Sequence, residues 1–90
     1  MQAEIWTKDF CPYCVEAKRI LRDLNISYHE YKIGSPSETP QANQTIVDRS
    51  ALLAKLPTAR TVPQIWIDGT HVGGCTDLAA AVKRGDFSPQ

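Results

Sequence analysis

Cys11 and Cys14 stand three positions apart in the stretch Lys8-Asp9-Phe10-Cys11-Pro12-Tyr13-Cys14. Paired cysteines serve exchange chemistry or metal binding, and the spacing helps to choose between them. If Cys11 opens a helix, Cys14 lies over the same face one turn on, and the two sulfurs come within bridging range. A helix start presents unpaired N–H groups and about half a positive charge, which favours thiolate over thiol at Cys11. Lys8 adds a cation from the preceding segment. Cys14 sits deeper along the helix and keeps its proton longer.

Magnitudes show what such a sulfur is good for. An ordinary thiol is only about a few per cent ionised at neutral pH, so full ionisation raises the thiolate fraction roughly thirtyfold. Intrinsic nucleophilicity falls by about the same factor as the sulfur becomes more acidic. Attack is therefore little faster, but Cys11 becomes a good leaving group when a second thiol attacks it. The pair suits turnover by exchange, not a permanent crosslink. Zinc is the rival use, and a structural zinc site wants four ligands. Only Cys75, His29 and His71 remain to supply them, and they follow no second paired spacing. No metal is expected.

The elements that must hold these residues can be read along the chain. Residues 2–7 read as a short strand, and from Pro12 the apolar residues Ala17, Ile20, Leu21 and Leu24 trace one face of a helix ending near Asn25. Pro12 fits the first helical position, where its missing N–H costs nothing. Residues 27–33 form a second strand, and strand–helix–strand order implies a right-handed crossover between parallel neighbours. Residues 34–44 carry turn chemistry throughout and are long for a connection in a small domain. A second helix is expected from about Thr45 to Leu56, stopped by Pro57. Residues 62–68 form a third strand, with Ile65 and Ile67 on one face and Trp66 on the other. Asp68-Gly69-Thr70 turns it into a hairpin with residues 71–73. Thr76 is the expected N-cap of a last helix that buries Leu78, Ala81 and Val82 and ends at Gly85. The final residues, 86–90, are expected to be loose.

The chain has 90 residues, with ten basic and ten acidic side chains. Residues 1–90 are read as one α/β domain, a small mixed four-stranded sheet flanked by about three helices in the order β-α-β-α-β-β-α. The balanced charge gives no footprint for nucleic acid, and no apolar run is long enough to span a membrane. Three cysteines are an odd number, which does not suit a secreted disulfide framework. A cytoplasmic setting is expected.

Cys-Pro-Tyr-Cys at a helix start, Thr61–Gly69 (TVPQIWIDG) and His71–Leu78 (HVGGCTDL) together resemble the glutaredoxins, and within that thioredoxin-fold family the dithiol class. The resemblance covers nearly the whole chain, with the motifs in the family's order. It implies a thioredoxin fold and a glutathione-dependent thiol–disulfide oxidoreductase, active as a monomer. Cys11 would attack a glutathione mixed disulfide and hold glutathione covalently until a second glutathione frees it. Cys14 would resolve the adducts formed with protein disulfides. Glutathione is then the reductant and co-substrate, and no tightly bound cofactor is implied. Partners would be disulfide-containing or glutathionylated proteins, ribonucleotide reductase among them.

The same resemblance implies a glutathione site drawn from separate segments. Lys8 would face the glycine carboxylate, and Tyr13 would flank the sulfur. Thr61, Val62 and Pro63, with a cis bond before Pro63, would present backbone to the extended tripeptide. Gly74, Cys75, Thr76 and Asp77 would take the γ-glutamyl end, the main-chain N–H groups on its carboxylate and Asp77 on its ammonium. Plainer roles stand beside these. Lys8 and Tyr13 can be simple surface residues, Thr61 and Pro63 strand-entry residues, and Thr76 a cap. For Cys75 a small buried residue is preferred over a redox thiol, its main chain still lining the pocket. Trp6 and Trp66 read as packing or surface aromatics rather than a cofactor platform, and His29 and His71 need no function. The 34–44 loop is longer than in compact bacterial-type members, and neither Arg49 nor Ser50 is carried over as a contact. Two other functions compete: a thioredoxin-like electron donor re-reduced by a flavoprotein, and a non-enzymatic iron–sulfur or zinc carrier.

Overall fold

β1 (Gln2–Lys8) is the central strand, because its alternation buries side chains on both faces: Ala3 and Ile5 on one, Trp6 on the other. A computed structural model describes residues 1–90. β1 pairs in parallel with β2 (Ser27–Ile33), in the register Ile5 to Glu30, and antiparallel with β4 (Gln64–Ile67), in the register Ile5 to Ile65. The crossover between β1 and β2 is α1 (Pro12–Asp23), as expected. It ends through Leu24, with Asn25 at φ 55°, a left-handed conformation that asparagine tolerates.

The sheet has five strands, not four, in the order β3-β2-β1-β4-β5. The extra strand, β3 (Gln44–Val47), takes residues that the sequence reading gave to the second helix. It runs parallel to β2, with Glu30 opposite Gln44 and Ile33 opposite Val47. Thr45, Ile46 and Val47 are consecutive β-branched residues, which lose little on a pleated edge and more in a helix. They also cover the backbone groups that β2 would otherwise leave open. The helix begins only after Asp48, whose carboxylate accepts from the Ala51 N–H at 3.1 Å and caps α2 (Arg49–Lys55).

β5 (Thr70–Gly73) completes the sheet through a two-residue hairpin, with Asp68 at φ 50° and Gly69 at φ 82°. Such a turn needs positive φ at both central residues, which Asp-Gly supplies. α3 (Cys75–Lys83) starts two residues earlier than Thr76 capping would place it. Gly74 occupies the cap, and the Asp77 carboxylate reaches back to its N–H at 2.9 Å. The carboxylate at the third helical position thus satisfies the N–H of the cap residue, while no side chain caps the N–H groups of the first turn.

Two apolar clusters hold the layers together. One packs α1 and α3 on the sheet through Ala3, Ile5, Ala17, Leu21, Ile65, Ile67, Cys75 and Leu78. The other packs α2 on the opposite face through Leu52, Trp6, Trp66 and Ala59, with the Trp6 and Tyr31 rings stacked at 4.7 Å. The C-terminal residues are tied down, contrary to expectation. Phe87 packs against the first cluster, and the Gln90 N–H donates to the Leu24 carbonyl at 2.7 Å. An aromatic residue four places from the end provides apolar area that outweighs the entropy of ordering a short tail. No helix is long and apolar enough to cross a membrane.

Candidate active site

Cys11 is the N-cap of α1, in extended conformation at φ −119°, and Pro12 takes the first helical position. Cys11 and Cys14 are joined by a disulfide with Cα atoms 5.2 Å apart. The helix start directs the Cys14 backbone N–H at the Cys11 sulfur, 3.1 Å away. That donor is one of the orphan N–H groups of a helix terminus, and it is in place for a thiolate once the bond is reduced. The two sulfurs differ in access: Cys11 keeps 8% of its surface and Cys14 only 2%. Cys11 is the one a substrate can reach.

A second segment meets the first at this sulfur. The Val62 carbonyl oxygen lies 3.8 Å from Cys11 Sγ, and the Val62–Pro63 peptide is cis, as the motif implied. The third segment abuts the second: a Cβ on Gly74 would stand 3.4 Å from the Pro63 carbonyl. Gly73 has φ 117°, and a side chain there would run into the Asp77 carboxylate. In the first turn of α3, the Cys75 and Thr76 N–H groups have no intrahelical acceptor and remain free for an anion. The Gly74 N–H is not free, because Asp77 holds it.

These segments enclose a groove of about 610 Å3. Tyr13, Thr61, Val62, Pro63, Gly74, Cys75, Thr76 and Asp77 all line it. Lys8 and Cys11 line a neighbouring hollow of about 560 Å3, and neither is among the residues that line the groove itself. Neither Arg49 nor Ser50 lines the groove, and Ser50 instead donates to the capping carboxylate of Asp48. The sequence reading missed Thr58, Gln64 and His71, which do line it. Gln64 spans β4 and β5, bonding His71 Nε2 at 2.9 Å and donating to the Thr61 carbonyl at 3.0 Å. Its position directly after Pro63 was the available signal.

Cys75 is 9% exposed and belongs to the core, where burial, reinforced by the nearby Glu16 carboxylate, pushes its thiol up. It is built for packing. Beneath the other hollow, Glu30 is buried and accepts from Thr7 at 2.6 Å, Lys18 at 3.1 Å and Gln44 at 3.1 Å. Burial works to raise its carboxyl, but the three hydrogen bonds and the Lys18 charge together prevail and hold it below the usual carboxylate range. No cluster of three or more His, Cys, Asp or Glu side chains is placed to hold a metal ion.

Comparison with known proteins agrees with this arrangement. Residues 3–72 match the family model described as Glutaredoxin. The chain is 38% identical over 86 residues to Glutaredoxin 3 of Escherichia coli, covering 96% of this chain and 92% of that protein. Among solved structures, reduced E. coli glutaredoxin superposes with a TM-score of 0.68 at 34% identity, covering 93% of this chain and 95% of that one. A buckwheat glutaredoxin–glutathione complex superposes with a TM-score of 0.66 at 28% identity, over 92% of this chain and 69% of that one.

Proposed function

The chain belongs to the glutaredoxin family and is a thiol–disulfide oxidoreductase, and on that premise we propose that glutathione is its reductant and the groove beside Cys11 the glutathione site. One observation carries the reading. The reachable sulfur of the pair lies 3.8 Å from the Val62 carbonyl, and Val62 with two other chain segments lines a groove that has free N–H groups and a carboxylate beside them. A γ-linked tripeptide has the matching parts: a cysteine sulfur, an extended backbone, and an α-carboxylate next to an ammonium. A structural relative solved with glutathione bound supports the same assignment.

In the reduced protein, Cys11 as thiolate attacks the glutathione sulfur of a mixed disulfide and expels the substrate thiolate. The Cys14 N–H stabilises the charge at the attacking sulfur before and after the step. Val62 offers backbone to the tripeptide, Tyr13 covers the sulfurs, and the Cys75 and Thr76 N–H groups receive the γ-glutamyl carboxylate while Asp77 faces its ammonium. Lys8 lines the hollow that Cys11 also lines, where it adds charge near the sulfur and faces the glycine carboxylate. A second glutathione attacks the Cys11 adduct, leaving as glutathione disulfide. With protein disulfides, Cys14 displaces the substrate from Cys11 and regenerates the disulfide, which two glutathiones then reduce. Glutathione is thus consumed as co-substrate by a cytoplasmic monomer that serves glutathionylated and disulfide-bonded proteins, ribonucleotide reductase among the candidates.

The decisive experiment is steady-state reduction of glutathionylated cysteine with glutathione and a glutathione-recycling system, run beside a thioredoxin-reductase-coupled assay. Turnover in the first and none in the second is expected. Turnover only with the flavoprotein would replace glutathione by the reductase as electron source.

A further inference from the structure

Phe10, the residue before the reactive cysteine, leaves its ring in solvent at the rim of the hollow beside Cys11. It is 102% exposed, belongs to neither apolar cluster, and has φ 56°, a left-handed conformation disfavoured for any residue with a Cβ. Glycine or asparagine would hold this backbone at less cost. An aromatic ring kept in water by a disfavoured backbone, next to a nucleophile, points to a use outside the fold. Val15, in the first turn of α1, is a second exposed apolar side chain, at 62%.

Both residues line the hollow that also takes in Cys11 and Cys14 and is separate from the proposed glutathione groove. The segment that carries Phe10 is held in place: Lys32 bridges Asp9 and Glu38, each at 3.1 Å, and so ties it to the 34–44 loop. Gln41 and Gln44 line the same hollow. Glutathione has no apolar side chain that could cover a phenyl ring. Cys11 also lines the hollow, so a polypeptide that brings its sulfur to Cys11 from this side passes over Phe10 and Val15.

We propose that Phe10 and Val15 form a docking anchor for polypeptide disulfides, selecting substrates with an apolar side chain next to the reactive cysteine. The inference rests on the exchange chemistry assigned to Cys11 and Cys14 but not on the identity of the reductant. The Cys11 thiolate attacks one peptide sulfur, the peptide disulfide breaks, and its other sulfur leaves as thiolate. Cys14 loses its proton to solvent and attacks Cys11, releasing the second peptide thiolate. The peptide gains two electrons and becomes a dithiol, and the protein is oxidised to the Cys11–Cys14 disulfide.

The test is single-turnover reduction of two disulfide-looped peptides by the pre-reduced full chain, without glutathione. The peptides differ only in having leucine or serine beside the attacked cysteine. The leucine peptide is expected to react about tenfold faster, the scale of burying one large apolar side chain. Phe10→Ser should bring the two rates within twofold, Phe10→Leu should keep most of the preference, and Phe10→Ser should leave turnover of glutathionylated cysteine within twofold of wild type. Equal peptide rates in the wild type would overturn the proposal, as would a Phe10→Ser variant that retains the preference or slows every substrate alike. A wild-type dimer dissociated by Phe10→Ser would also overturn it, placing a second copy of the chain on the ring. Failure of the glutathione reading looks different: wild-type protein inert toward glutathionylated cysteine, with the peptide preference intact.

Discussion

The carbonyl oxygen of Val62 stands 3.8 Å from the sulfur of Cys11, a residue 51 positions earlier in the chain. The sulfur therefore sits between opposed dipoles. The Cys14 N–H approaches with its positive end at 3.1 Å, and the Val62 carbonyl with its negative end. The first favours a thiolate, and the second can only accept from a thiol. A ligand that pairs with the Val62 backbone engages the group that opposes the anion, which couples binding to the reactivity of the sulfur.

The unequal access of the two sulfurs predicts a division of labour. Cys11→Ser should abolish all exchange. Cys14→Ser should keep reduction of glutathionylated substrates and lose reduction of internal protein disulfides, because only the second reaction needs a resolving thiol. Assays on the two substrate types check this, and equal loss of both in Cys14→Ser would contradict it.

Asp77 holds the Gly74 N–H in the fold and faces the ammonium in the proposed glutathione site, and substitution can separate the two. Asp77→Asn keeps an acceptor for the Gly74 N–H but removes the charge facing the ligand's ammonium. It should leave stability near wild type and raise KM for glutathione-containing substrates about fivefold, the scale of one exposed charge contact. Asp77→Ala should raise KM similarly and also cost about 1 kcal/mol of stability as the cap is lost. Denaturant melts beside kinetics distinguish the two.

Glu30 gives the fold a defined acid sensitivity. Its carboxyl is held below the ordinary value of 4.5, so it is charged in the folded state at pH values where the unfolded chain begins to protonate. Its contribution is complete above about pH 4.5 and fades as pH falls through the lowered folded value. Glu30→Gln, which disturbs the bonds from Thr7, Lys18 and Gln44, should cost about 1–3 kcal/mol at pH 7. The gap between variant and wild type should narrow on acidification below that range. Urea titrations at pH 7 and pH 3.5 measure it, and a gap that widens in acid would be the wrong sign.

The anchored C-terminus predicts a stability effect far from the disulfide. Phe87→Ser removes half-buried apolar area from the α1–α3 side of the core and should cost about 1 kcal/mol, or roughly 4–8 °C in Tm for a domain of this size. Thermal melts test this, and an unchanged Tm would mean that the tail carries no stability.

The exchange chemistry was legible because it depends on local order. Cys11, Pro12 and Cys14 place a sulfur at a helix start whatever the rest of the chain does, and Asp68-Gly69 specifies its hairpin by backbone conformation alone. Periodicity located β1, α1 and β2 for the same reason. Residues 44–56 were harder to read. Thr45–Val47 show no helical or strand period over so short a run, and only the open edge of β2 and the cap at Asp48 divide them into β3 and α2. The tail likewise shows no sign of Phe87 docking until the core it meets exists.

Local sequence alone thus determined the reactive pair and its polarity, since a helix terminus and a proline act within a few bonds. Tertiary structure decided what surrounds the sulfur: Val62 brought to Cys11, Gly74 set against Pro63, Lys8 placed in the hollow that Cys11 lines, and Phe10 left in solvent. Those relations join residues tens of positions apart or depend on how distant segments pack. They are set by sheet register and layer packing, which no single window of residues contains.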